Sequence, residues 1–198
     1  MPNPYNYGFQ YLGPLGGGSP AKAVRCRVVT NSPQALNVGD PVALRATGYV
    51  DLCIVNEANL FGIIVGIGPY FDGVRMTYGN NLPLATTYGA VVDRESTVWV
   101  VPAAGNLFSA MCDDAVTAVT RAAYLALIGT NVDHLVAAVP PLNHPRLDIS
   151  GFTAVASMQW RIMDLSKDVT VDYAAVNVPL IVSGNEVATP PASPLAGI

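Results

Sequence analysis

The chain is expected to be all-β in class, a small antiparallel β-barrel or β-sandwich carrying one short helix. Two observations lead there. Short runs of β-branched and apolar residues recur between Gly, Pro and Asn clusters, the pattern that bounds strands, and 18 glycines and 16 prolines in 198 residues supply those turns. Only one stretch has helical composition, so the alternating helices that a parallel βαβ sheet requires are missing.

The elements follow in order. Residues 1–22 interleave Pro, Gly and Asn with Tyr5, Tyr7, Phe9 and Tyr11 and close on Gly16-Gly17-Gly18-Ser19-Pro20, a composition that makes neither a helix nor a core of its own. They read as an extended N-terminal arm. Four aromatics on such a segment need cover, either from a neighbouring subunit or from the chain's own domain. A single β-rich domain is expected over 23–186, with a Pro-rich tail at 187–198.

Within the domain, 23–30 (AVRCRVVT) forms the first strand, and Val38-Gly39-Asp40-Pro41-Val42 reads as a turn entering the next. Residues 49–56 and 61–67 are two apolar runs suited to antiparallel pairing. Gly62 and Gly66 in the second run mark a bulge or a close backbone approach. The stretch 72–87 is a loop with a hairpin around Gly79-Asn80-Asn81. Strand character resumes at 90–92 and 96–101 and stops at Pro102. Residues 113–128 (DDAVTAVTRAAYLALI) carry the one helix, capped by Asp113 or Asp114 and ended by Gly129. It should be short, because β-branched residues oppose it. A strand over 154–164 places Met158, Trp160 and Ile162 on one face, and a last strand covers 176–182.

Composition narrows the function. Charged residues make up 12 % of the chain and hydrophobic ones 51 %, against about 25 % charged in ordinary domains. A surface poor in lysine and arginine loses little on being covered by a partner. The net charge of −4, with ten basic residues spread thinly, leaves no patch to neutralise a run of phosphates, so direct nucleic-acid binding is not expected. Nor is a membrane span, and the opening Met1-Pro2-Asn3-Pro4-Tyr5 lacks a basic region and an apolar core, so a protein made and used in a cytosol is expected.

Candidate chemistry is sparse. Cys26, Cys53 and Cys112 are an odd, widely spaced set, which suits small buried hydrophobes better than disulfides or a zinc site. His134 beside Asp133, and His144 near Asp148, would need a third ligand to hold a metal. Cys112 with His134 and Asp113 is the best nucleophile, base and orienting-group assembly available, but no nucleophile elbow or glycine-rich oxyanion loop accompanies it. Gly66-Ile67-Gly68-Pro69 is no dinucleotide loop, since the proline has no N–H for phosphate. No cofactor and no catalytic residue is therefore expected. Asp93-Arg94-Glu95, the densest charge cluster, is a solvated strand-to-strand tip or a polar docking point for a partner.

The order Val38-Gly39-Asp40-Pro41-Val42, then Phe61-Gly62-Ile63-Ile64-Val65-Gly66-Ile67, then Thr97-Val98-Trp99-Val100-Val101-Pro102 leads into Asn106-Leu107-Phe108-Ser109. Trp160-Arg161-Ile162-Met163-Asp164-Leu165 and Val178-Pro179-Leu180-Ile181-Val182 close it. Over roughly residues 24–183 this arrangement resembles the capsid decoration, or cement, proteins of tailed bacteriophages.

That resemblance implies a barrel or tulip-like domain, often a homotrimer, on the outer surface of the virion, stapling neighbouring copies of the major capsid protein. Extended termini would lie across adjacent capsomers, with Tyr5, Tyr7, Phe9 and Tyr11 as partner contacts. The alternatives are another virion component, such as a head-fibre base or a tail protein, and more remotely a cysteine hydrolase.

Overall fold

The structure is a computed structural model and describes residues 8–28, 35–55, 57–71, 75–82, 96–113, 120–135, 144–153, 158–167, 171–174 and 177–185. In chain order the strands are β1 (Gln10–Pro14), β2 (Val24–Arg27), β3 (Leu36–Asn37), β4 (Pro41–Leu44), β5 (Val50–Leu52), β6 (Leu60–Ile67), β7 (Tyr70–Phe71) and β8 (Met76–Thr77). Then come β9 (Asn81–Leu82), β10 (Thr97–Pro102), β11 (Asn106–Met111), the helix α1 (Arg121–Leu125), β12 (Asn131–Leu135), β13 (Arg146–Thr153), β14 (Trp160–Leu165) and β15 (Pro179–Gly184). The all-β expectation holds.

Two antiparallel sheets make the body. One runs β1-β11-β15-β14-β12-β13 and the other β2-β10-β6-β4-β5, with two small ribbons, β3-β9 and β7-β8, beside them. Both large sheets curl, yet neither closes into a barrel. The edges of the five-stranded sheet meet at a single parallel bridge, Val28 to Val50, and β11 meets β13 at another, Cys112 to Leu147.

The curl produces two cores. Val42, Val50, Phe61, Ile64, Val98 and Val100 fill the concave side of the five-stranded sheet. Its other side, with Ala43, Leu60, Ile63 and Val101, packs against Phe108, Val132, Trp160, Ile162 and Val182 of the six-stranded sheet. β6 thus has apolar side chains on both faces, which is why its sequence is a continuous apolar run rather than an alternation.

The two glycines of β6 serve different ends. A Cβ on Gly62 would lie 2.1 Å from the backbone oxygen of Val101, so no side chain fits there. Gly66 sits where the β10–β6 register shifts, opposite Trp99, and leaves Val65 as the extra bulged residue.

Several local expectations are corrected. The helix begins at Arg121 rather than after Asp113: Thr120 is its N-cap and its hydroxyl oxygen accepts from Ala123 N at 3.3 Å. Asp113 instead turns toward β13, where its carboxylate accepts from Ile149 N at 3.1 Å. The helix closes on Ala126 rather than on Gly129, which lies beyond the cap at φ +88° and donates its N–H to Ile162 O at 2.8 Å. Among the described residues no hairpin forms around Gly79-Asn80-Asn81. Asn81 and Leu82 pair with Asn37 and Leu36, 44 residues away in the Asn81–Asn37 case, and Asn81 Nδ2 donates to Asn37 Oδ1 at 2.6 Å. In the last block Trp160 and Ile162 face the core as anticipated, but the strand starts at Trp160 and Met158 precedes it. Residues 90–92, 154–157 and 187–198 lie outside the described residues.

Candidate functional site

The leader was expected to be an arm. From Gln10 it is instead an edge strand of the six-stranded sheet, paired antiparallel with β11 from Gln10–Ser109 to Pro14–Asn106. Phe9 is only 3 % exposed. It stacks on Trp160, with ring centroids 4.5 Å apart, and its N–H donates to Gly39 O at 2.9 Å. Tyr11 lies 5.9 Å from Phe108, and its hydroxyl accepts from Ala21 N at 2.8 Å. Of the four aromatics expected to touch a partner, Phe9 and Tyr11 are therefore covered by their own domain. Burying a Phe internally satisfies the same apolar surface that a neighbour would have covered. Tyr5 and Tyr7, like Asp93, Arg94 and Glu95, lie outside the described residues.

Below Phe9 is a buried polar junction between the sheets. His134 of β12 is fully buried, and its Nε2 hydrogen-bonds the Cys53 carbonyl at 2.7 Å, while Nδ1 accepts from Trp160 Nε1 at 3.4 Å. This assigns the neutral tautomer with the proton on Nε2. Burial drives the His134 pKa down to about 4, against the upward pull of its bond to Cys53. Gln159 completes the junction: its Nε2 donates to Ile54 O at 2.7 Å and Glu57 O at 3.0 Å and touches Cys53 Sγ at 3.3 Å. The loop it grips is held from its other side by Arg45, which pairs with Glu57 and, at 3.5 Å, with Asp51.

This geometry leaves the cysteine chemistry without its parts. His134 gives both ring nitrogens to Cys53 and Trp160, not to Cys112, and Asp113 binds the backbone of Ile149. Cys112 is buried and desolvation raises its thiol to about 11, far from the thiolate a nucleophile needs. Among the described residues no three His, Cys, Asp or Glu side chains gather into a metal-holding group. Asp133 and Asp148 face each other across β12 and β13, but Asp133 accepts from Gln159 N and Asp148 from Ser150. Asp133 is raised by desolvation and then by Asp148.

A second buried acid was not singled out from sequence as a titrating group. Asp40 closes the turn 37–40, whose Gly39 has φ +95°; one carboxylate oxygen accepts from Asn37 N at 2.7 Å and from Asn37 Nδ2 at 3.2 Å. The other oxygen is buried without a hydrogen-bond partner. Desolvation raises the Asp40 pKa to about 7, outweighing the two bonds from Asn37.

Among the large apolar side chains left exposed, Val65 and Trp99 lie together on the five-stranded sheet. Val98 and Val100 of β10 point into the concave core, so the period of two sends Trp99 to the opposite face, where it is 44 % exposed. Val65, bulged out of β6, is 39 % exposed. The ring of Trp99 runs along bare Gly66, whose missing side chain leaves room 3.5 Å from Trp99 Cδ1. Arg25 of β2, exposed, is the cross-strand partner of Trp99. This face is continuous with the one that Ile63 and Val101 bury against the other sheet. The signal was present in Thr97-Val98-Trp99-Val100-Val101, where alternation leaves the largest side chain facing away from its valine neighbours.

Comparison with family models, curated proteins and solved structures gives no match for the chain.

Proposed function

We propose that the chain is a structural protein of a viral head, a decoration protein that binds the assembled capsid and bridges neighbouring major capsid subunits. We place its docking face on β6 and β10. The observation that carries this is the exposed Trp99, flanked by Val65 and Arg25. A tryptophan held flat on a rigid sheet offers a large apolar area at small entropic cost, and Trp and Arg are the side chains that dominate protein interfaces. The low charge of the chain, 12 %, supports a surface made to be covered. The order of turn and strand motifs that resembles the cement proteins of tailed phages supports the choice of partner.

Trp99 and Val65 take over the role first expected of Phe9 and Tyr11. Each contact with the shell is small, but a homotrimer repeats it three times within one assembly, and successive contacts become effectively intramolecular. A protein that binds only the assembled shell also shifts the equilibrium toward that shell.

The test is to add purified protein to isolated capsid shells and measure the bound ratio after sedimentation. Wild type should saturate at a fixed stoichiometry. Trp99→Ser and Val65→Asp should each lower retention at least tenfold while leaving thermal unfolding little changed. Wild type that never adds to shells refutes the function; full retention by both variants refutes this face.

A further inference from the structure

We propose that β1 is an exchangeable strand, which one copy of the chain donates to the six-stranded sheet of a second copy. This goes beyond the shell-binding role and does not depend on it.

The first ground is topology. β11, β15, β14, β12 and β13 are joined in sequence by antiparallel ladders, and β13 returns to β11 through the Cys112–Leu147 bridge. β1 lies outside those five strands, appended to the other side of β11. The five strands therefore keep all their ladders with one another when β1 leaves.

The second ground is the hinge. Gly16, Gly17 and Gly18 follow β1 at φ +81°, +82° and +120°, and a Cβ built on any of them would meet nothing within 4 Å. The connection stands clear of the body, and it folds back only because glycine tolerates positive φ. An extended connection needs no such conformation.

The third ground is what β1 would leave behind. Phe9 seats against Trp160 and His134, and Phe108 lies against Tyr11 and Trp160. An emptied site exposes these rings together with the free edge of β11, an apolar slot beside an unpaired strand. Gly8 narrows the choice of occupant, since a Cβ there would lie 2.5 Å from Gly39 O. The segment that matches this slot, with glycine, phenylalanine and tyrosine in register, is the same segment of another copy. Every contact is then regained, which is the condition under which strand exchange costs little. Even the bond from Ala21 N to Tyr11 Oη is remade, now between chains.

Two variants, each with one added cysteine, read the exchange directly. Gln10 and Ser109 are opposite one another in the β1–β11 ladder, close enough for a disulfide, and the native cysteines are buried. Gln10→Cys protein is mixed with Ser109→Cys protein, incubated at high concentration and oxidised. Exchange predicts a covalent pair containing one chain of each kind on a non-reducing gel. A second arm replaces Gly16, Gly17 and Gly18 with alanine, which strains the folded-back connection and not the extended one. The population by light scattering should move toward larger species than the wild type forms at the same concentration. The proposal is overturned if the mixed variants yield no cross-linked pair while a Gln10→Cys/Ser109→Cys double variant closes its disulfide within one chain.

Discussion

Phe9 stacks on Trp160 at a centroid distance of 4.5 Å with the rings inclined by 25°. One residue precedes the first strand and the other opens β14, so this contact ties the start of the described chain to the centre of the core. Phe9→Ala removes a fully packed ring above Trp160. It should destabilise the fold by about 3–5 kcal/mol, the usual cost of emptying a buried Phe site. Urea unfolding followed by Trp fluorescence measures it. A loss under about 1 kcal/mol would mean that the ring contributes no more than an exposed side chain does.

Asp40 and His134 act on pH stability with opposite signs. Asp40 holds its proton to about 7 in the fold against an ordinary 3.8, so unfolding releases a proton in that window and stability falls as pH rises through it. His134 stays neutral down to about 4 against an ordinary 6.5. Unfolding then takes up a proton, and stability falls as pH drops through that second window. Between about pH 4 and 6.5 the two contributions cancel. Relative to wild type, Asp40→Asn should gain stability with rising pH and His134→Asn should lose it, each by up to about 1.4 kcal/mol per pH unit. Asp133, raised like Asp40, and His144, lowered like His134, stay in both variants, so the difference curves isolate the two sites. Denaturant titrations from pH 4 to 8 supply them; parallel curves would show that neither group is displaced.

Gly62 and Gly66 should respond unequally to alanine. At Gly62 the new methyl meets the backbone of Val101 at 2.1 Å, and backbone cannot swing aside. The cost should be at the top of, or beyond, the roughly 1–3 kcal/mol of ordinary overpacking. At Gly66 the nearest atom is 3.5 Å away, so Gly66→Ala should lie within about 1 kcal/mol of wild type. Thermal melts of both variants decide; equal losses would contradict the difference between close approach and bulge.

The thiols of Cys26, Cys53 and Cys112 are buried, and desolvation raises all three. A thiol reagent at pH 8 should label none of them on the timescale of minutes and all of them once the chain is unfolded. Rapid labelling of Cys112 in the native protein would revive the nucleophile that its surroundings argue against.

Much of the fold was legible in the residues because strand formation has local causes. β-branched runs, Pro102 and the Val38-Gly39-Asp40 turn act within a few positions. The exposed Trp99 could also be read locally, from its alternation with Val98 and Val100. The helix start could not, because two adjacent Asp residues and Thr120 all qualify as caps; Asp113 is claimed by Ile149 across the sheet.

By itself, the sequence determined an all-β chain, its main strands and a sparsely charged surface, since composition and period two are properties of short segments. Only the tertiary structure decided that Phe9 lies on Trp160, that β1 joins β11, that Asn81 pairs with Asn37, and that His134 is a buried neutral bridge to Cys53. Those are choices among distant partners of similar local propensity. They are settled by which pairing buries the aromatics and satisfies the polar groups together, and that sum runs over the whole chain.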